Sequence, residues 1–381
     1  MKVIIAIDSF KGSLSSTEGS KAVAAGIREI YPSANIEIVP LADGGEGTVD
    51  AIIAACGGVR RTVAVTGPLM EPIHATYGVL SDGKTAVIET AAVCGLPLVP
   101  FDKRNPMITT SYGLGEMIAD AVFQGCRHFI IGLGGSATND AGIGMLQALG
   151  FRFQDQSGDS AYIGGQSLLH VHAADAGGLL PELKECTFTI ACDVRIDLYG
   201  SEGAAYIFAP QKGADPSMVK LLDHGLRRFA AFCLSELGVQ INGFPGAGAA
   251  GGLGGAFTGF LNGRLQSGAG LILELAKFEE KLKDANFVIS GEGRLDGQTQ
   301  MGKAPLGVAE IARKHGVPVL GLAGTVTEEA SVLNSNGFTS LFSIIRSPIT
   351  LDEAMKKEQA MKGLRETTVQ LFRLIRAIER Q

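Results

Sequence analysis

The sequence predicts an α/β protein of two domains: a Rossmann-like parallel-sheet domain divided between the two ends of the chain, with a second, mixed α/β domain inserted into it. Three observations lead there. Strand-length apolar runs alternate with helix-length amphipathic segments near both termini. After Arg61 the pattern changes to short alternating runs separated by Gly-Pro, Glu-Pro and Ser-Asp-Gly. Finally, 381 residues exceed what one ordinary core fills.

In chain order, KVIIAI (2–7) reads as a buried strand and SSTEGSKAVAAGIREIYP (15–32) as the following helix, capped by Ser15 or Ser16 and stopped at Pro32. NIEIVPL (35–41) and EGTVDAIIAACGG (46–58) form a second βα unit, with glycine at the helix end. RTVAVTGP, IHATYGVL and TAVIETA read as an antiparallel meander. SYGLGEMIADAVFQGC (111–126) is a helix leading into the strand HFIIGL. From DANFVISGEG the βα pattern returns: NFVIS, a helix near 303–315, PVLGLAG, another helix, SLFSII, and a long helix near 351–379. Together these make a five-stranded parallel sheet with helices on both faces. The expected domains are therefore 1–60 plus 285–381, and 61–284 as the insertion.

Apolar residues make up 46 % and charged residues 19 % of the chain, with 52 glycines and no tryptophan, a composition for compact structure with many tight turns. The formal net charge is −6 and the basic residues are scattered, which argues against nucleic acid and for a small-molecule ligand. Asp8 interrupts the first apolar run too early for a signal peptide, and no run approaches the ~20 apolar residues of a membrane span. A cytoplasmic protein is expected, without a membrane partner. The six cysteines lie far apart and are read as reduced thiols.

Gly132, Gly134 and Ala137 fit G-x-G-x-x-A after a strand, and Asp155 follows at roughly the spacing of a dinucleotide fingerprint. Asp155 falls in the turn-rich FQDQSGDS, however, rather than at the end of a second strand. GAGAAG (246–251) follows NGFP and not a strand, and GQTQMGKA (297–304) has Ala304 where a P-loop needs Ser or Thr. Lys303 sits at an expected helix start, either phosphate-directed or solvated.

What the strand-end loops share is more informative. DSFKGSLS carries Asp8 and Lys11; ADGGEGT carries Asp43, Gly44, Gly45 and Glu46; GGSATND carries Gly134, Gly135, Ser136, Thr138, Asn139 and Asp140. CDV carries Asp193, and GEGRLDGQT carries Glu292, Arg294 and Asp296. Glycine lets backbone N–H groups approach phosphate oxygens, while carboxylates hold Mg²⁺ or accept a proton. The bland reading of each Asp or Ser is a helix cap or turn former. In open α/β sheets, ligands bind at the carboxyl ends of the strands.

These five loops, with PQKGA (210–214) and PGAGAAGGLG (245–254), closely resemble the bacterial type 1 glycerate kinases, in order and along the whole chain. The resemblance implies ATP-dependent phosphorylation of D-glycerate on its 2-hydroxyl, giving 2-phosphoglycerate in glyoxylate or glucarate metabolism, with the active site between two α/β domains. After CDV the family pattern is Thr-Asn-Pro, whereas this chain has Arg195, Ile196 and Asp197; Ala209 stands where glycine is usual.

Phosphoryl transfer needs an aligned hydroxyl and cations on the donor phosphate. Lys11 and Arg294 are the candidates to neutralise the glycerate carboxylate and the transferring phosphate, in either order. Asp193 is the candidate to orient and deprotonate the acceptor, with Asp43 or Glu46 as alternatives. Asp140, Asp193 and Asp296 are the candidate Mg²⁺ ligands, and a homodimer is an admissible assembly. The rival readings are an NAD-dependent dehydrogenase of a small hydroxy acid and a non-catalytic sensor of sugar acids.

Overall fold

A computed structural model describes residues 1–161, 163–297 and 304–380. It resolves into two compact units. The terminal unit comprises 1–43, 50–56 and 269–381, and the central unit comprises 44–49 and 57–268.

The terminal unit is built on a five-stranded, wholly parallel sheet in the order Ser340–Ser343, Val319–Val326, Phe287–Leu295, Lys2–Ile7, Asn35–Ile38. Strand alternation sends Val3, Ile5 and Ile7 to one face, where they meet Ile27 and Leu364 from the helices Ser16–Ile30 and Lys357–Ile378. Ile4 points the other way and is equally buried, because the sheet is covered on both faces. Ser15 caps the first helix in a capping box with Glu18. Ser16 instead ties the helix to the sheet, its hydroxyl donating to Ile7 O and accepting from Leu41 N. The expected long C-terminal helix is broken. A turn at Leu351–Ala354, capped by Thr350, is separated from Lys357–Ile378 by Lys356 in extended backbone (φ −63°, ψ 129°).

The order of this sheet reverses between Lys2–Ile7 and Phe287–Leu295, where connections leave in opposite directions. Such a reversal opens a crevice at the carboxyl ends of the two strands, the usual ligand position in a doubly wound sheet.

The central unit carries a six-stranded sheet. Gly58–Thr66, Pro72–Leu80 and Thr85–Glu89 form the expected antiparallel meander. Thr85–Glu89 then continues in parallel to His128–Gly132, Thr187–Ala191 and Arg264–Gln266. The carboxyl ends of the first three of these parallel strands lead into residues 90–95, 133–140 and 192–194.

Candidate functional site

In the terminal unit the crevice is lined by charge. Asp8 ends its strand, donates its N–H to Gly291 O at 2.8 Å, and accepts the Ser9 N–H at 2.7 Å. The following chain folds into a tight turn, with Phe10 and Leu14 exchanging backbone hydrogen bonds and Gly12 in the left-handed region (φ 77°). That turn presents Lys11, whose Nζ lies 2.6 Å from Asp43 Oδ2. Burial, then the Asp43 carboxylate, push Asp8 up to about 7, with Glu292 adding to the shift while the Ser9 N–H and Lys11 oppose it. Partial desolvation pulls the Lys11 ammonium down, but Asp43, Asp8 and Glu292 more than reverse this. Asp8, Lys11, Asp43 and Glu292 thus form one electrostatic cluster. Arg294 leaves the same strand as Glu292, exposed, with Nε 3.0 Å from Asp296 Oδ2.

In the central unit the loops are cradles of glycine and neutral oxygen. Gly44 (φ 81°) has no room for a side chain, since a Cβ would lie 2.6 Å from Ala191 O. Gly134 donates to Gly44 O at 3.0 Å, and Cβ atoms at Gly132 and Gly134 would fall 2.5 Å from Gly44 O and 2.4 Å from Gly45 Cα. The glycines that imitate a dinucleotide fingerprint are there because another backbone crosses them. Thr48 fixes this crossing through its hydroxyl to Gly45 O, and Glu89 accepts the Val49 N–H. Glu46 is exposed.

Residues 134–140 are held from both sides: Leu96 N donates to Gly135 O, Ala137 N to Cys94 O, and Thr109 Oγ1 to Ala137 O. Ala141 and Ala250 both adopt left-handed backbone (φ 50° and 51°), and Ala141 N donates to Gly251 O. Non-glycine residues in this region store strain and cluster at functional sites. Asn139 is fully buried, and neither atom of its amide has a hydrogen-bond partner. Asp140 is also fully buried, and burial raises its pKa, but its carboxylate accepts from Ser111 N, Ser111 Oγ, Gly142 N and Gly144 N. Asp193 is half-buried and accepts the Gly268 N–H at 3.1 Å.

One buried cation was not among the residues that the motifs single out. Lys212, in PQKGA, is 3 % exposed, and its Nζ donates to Ser136 Oγ at 3.0 Å and to Thr138 O at 2.6 Å. Burial pulls its pKa down to about 8, against the opposing influence of Cys94 and Asp140. The one signal available in the sequence was that PQKGA belongs to the resemblance. Lys303 lies outside the described residues.

Fold and loops together define an α/β enzyme for a small charged substrate, with its polar residues at the carboxyl ends of parallel strands. The glycerate kinase family matches residues 3–376. The glycerate 2-kinase of Escherichia coli K12 is 48 % identical over 93 % of each chain, and the glycerate kinase of Bacillus subtilis 168 is 45 % identical over 93 % of each. A crystal structure from Salmonella typhimurium LT2, provisionally assigned there as glycerate kinase 2, superposes with a TM-score of 0.88 at 43 % identity, covering 100 % of both chains. The chain belongs to the glycerate kinase family and is a kinase, a phosphotransferase with an alcohol acceptor.

The dehydrogenase reading finds no support. Asp155 follows Arg152–Gln154, a strand of a separate two-stranded antiparallel sheet, and its carboxylate serves its own turn through Ser157 and Asp159. Asp155 therefore does not end a parallel strand beside His128–Gly132, as the fingerprint requires of its acid.

Proposed function

We propose that the chain transfers the γ-phosphoryl group of ATP to the 2-hydroxyl of D-glycerate, giving 2-phosphoglycerate and ADP, in the cytoplasm and in the metabolism of glyoxylate or glucarate. The observation that carries this reading is the pair of strand-end clusters. One is acidic with Lys11 and Arg294 at its rim; the other is a glycine and hydroxyl cradle with a buried lysine. The names of the relatives supply the acceptor and the 2-position.

Lys11 and Arg294 neutralise the glycerate carboxylate and the transferring phosphate. Gly134, Gly135, Ser136, Thr138 and Asn139, with Gly44, Gly45 and Glu46, bind substrate or phosphate; an anionic oxygen supplies the acceptor that Asn139 Nδ2 lacks, and a reactant hydroxyl the donor that Oδ1 lacks. Asp193 orients the acceptor hydroxyl and takes its proton, with Asp43 or Glu46 as the alternative. Asp8 and Glu292 hold Lys11 in its charged form.

The donor set fits Mg²⁺. Among the described residues, no three His, Cys, Asp or Glu side chains converge to cage a metal, and Mg²⁺ ordinarily binds one or two carboxylates plus substrate phosphates. Asp296 is the residue proposed to hold it, or Asp193 where another acid takes the proton, rather than Asp140, whose carboxylate is taken by four donors. When bound, it neutralises charge on the transferring group.

The test is ADP release from ATP with glycerate, tartronate, lactate or glucarate, followed by phosphorus NMR of the product. Release with glycerate and a 2-phosphate signal are expected. Release with another acceptor alone, or a 3-phosphate, overturns the assignment. Light scattering tests the homodimer.

A further inference from the structure

A buried ammonium is costly unless paired or fully hydrogen-bonded. Lys212 is buried, both its protein partners are neutral oxygens, and they sit on one short segment of the cradle. The consequence falls on Ser136. A hydroxyl has one donor hydrogen and two acceptor lone pairs. Because Lys212 donates to Ser136 Oγ, one lone pair is occupied and the Ser136 O–H is left to donate elsewhere. The same ammonium grips Thr138 O, so the segment containing Ser136 is pinned at two points. Asn139, next in the chain, has both amide atoms buried and without a partner.

We propose that Lys212 is a positioning residue: it fixes the Ser136 hydroxyl as a donor toward an anionic oxygen of the reactants, and its buried charge strengthens that hydrogen bond. The anionic oxygen belongs either to the acceptor's carboxylate or to the nucleotide's phosphates, and the kinetics distinguish the two. Donation polarised by a cation is a charge-assisted hydrogen bond, stronger than a neutral one. This role rests on the kinase reading but not on the identity of the acceptor.

The experiment is a double-mutant cycle of Lys212→Met and Ser136→Ala, with KM for glycerate and for ATP measured separately and ADP binding measured by calorimetry. Each single variant is expected to lower kcat/KM by about 10- to 100-fold, the range of a hydrogen bond involving a charged group. The double variant is expected to be little worse than the poorer single one, because both remove one interaction. A rise confined to the KM for glycerate assigns the carboxylate; a rise in the KM for ATP with weaker ADP binding assigns the phosphates.

Lys212→Arg keeps the charge and covers the case in which Lys212→Met does not fold. The wild type is expected to lose kcat/KM above about pH 8 and the arginine variant to keep it. Of the titratable groups facing Lys212, burial pushes the Cys94 thiol well up, so it stays neutral there, and burial raises the Asp140 carboxyl against the donors from Ser111, Gly142 and Gly144. Additive losses, a Lys212→Met variant within twofold of wild type, or identical pH profiles for wild type and Lys212→Arg would each overturn the proposal. Failure of the wild type to use glycerate overturns the acceptor instead, and the ADP-binding arm still reports on Lys212.

Discussion

The two strand-end clusters occupy equivalent places in their sheets and have opposite character. In the terminal unit, carboxylates crowd together and burial drives Asp8 up to about 7. In the central unit, the Lys212 ammonium meets the Ser136 hydroxyl and the Thr138 carbonyl, and burial drives its pKa down to about 8. The same desolvation acts in both, disfavouring the charged form of an acid and of a base alike. What differs is the company: the carboxylates of Asp43 and Glu292 add to the shift of Asp8, whereas Asp140 and Cys94 oppose that of Lys212. On the proposed reading, the terminal crevice supplies the cations Lys11 and Arg294, while the central unit supplies backbone and hydroxyl dipoles together with Asp193.

The largest effect expected is on the chemistry. Asp193→Asn should lower kcat by ~10²- to 10⁴-fold, the contribution of a general base. A loss of less than about tenfold would move the proton acceptor to Asp43 and break the division of labour between the clusters.

Asp8→Asn sharpens the electrostatic side. The Asp8 pKa is raised on folding, so its favourable contribution is complete below about 3.8, declines as pH rises, and is lost above about 7. The ionised Asp8 of the wild type therefore costs stability at pH 8, by about 4 kcal/mol at most. Asparagine retains an acceptor for the Ser9 N–H, so the variant should unfold at higher denaturant than wild type at pH 8, with the gap closing toward pH 4. An equal midpoint at both pH values would show that Asp8 is not destabilised by its neighbours.

Gly134→Ala tests the cradle as backbone. With Gly45 Cα 2.4 Å from the new methyl, the crossing must open, at about 1–3 kcal/mol in stability. Activity should fall by more than this destabilisation explains. Ser15→Ala serves as the comparison of smallest effect: it removes the cap of Ser16–Ile30 for about 1 kcal/mol and touches neither cluster, so the thermal midpoint should fall while kcat stays constant.

The terminal sheet was legible because its inner strands are short apolar runs bounded by caps and turns, the pattern a sheet covered on both faces imposes. The break at Met355 and Lys356 was not legible, since both residues suit a helix and only the backbone at Lys356 departs from it. At the site, the loops announced themselves by composition, and Asp8, Lys11, Asp43 and Glu292 do fall in one cluster. Lys212 did not announce itself: PQKGA carried no role for it, and the partners of its buried ammonium, Ser136 and Thr138, are distant in sequence. Gly132 and Gly134 imitate a fingerprint for a related reason. A glycine that admits a phosphate and one that admits a crossing backbone are the same letter.

The segment that departs from the family pattern is anchored in a particular way. Ile196 O accepts from both Gly246 N and Gly248 N, and Asp197 O accepts from Ala204 N. These bonds are made by the main chain and do not depend on which side chains occupy 195–197. Side chains at 195–197 can therefore change beside Asp193 while the main chain keeps its path.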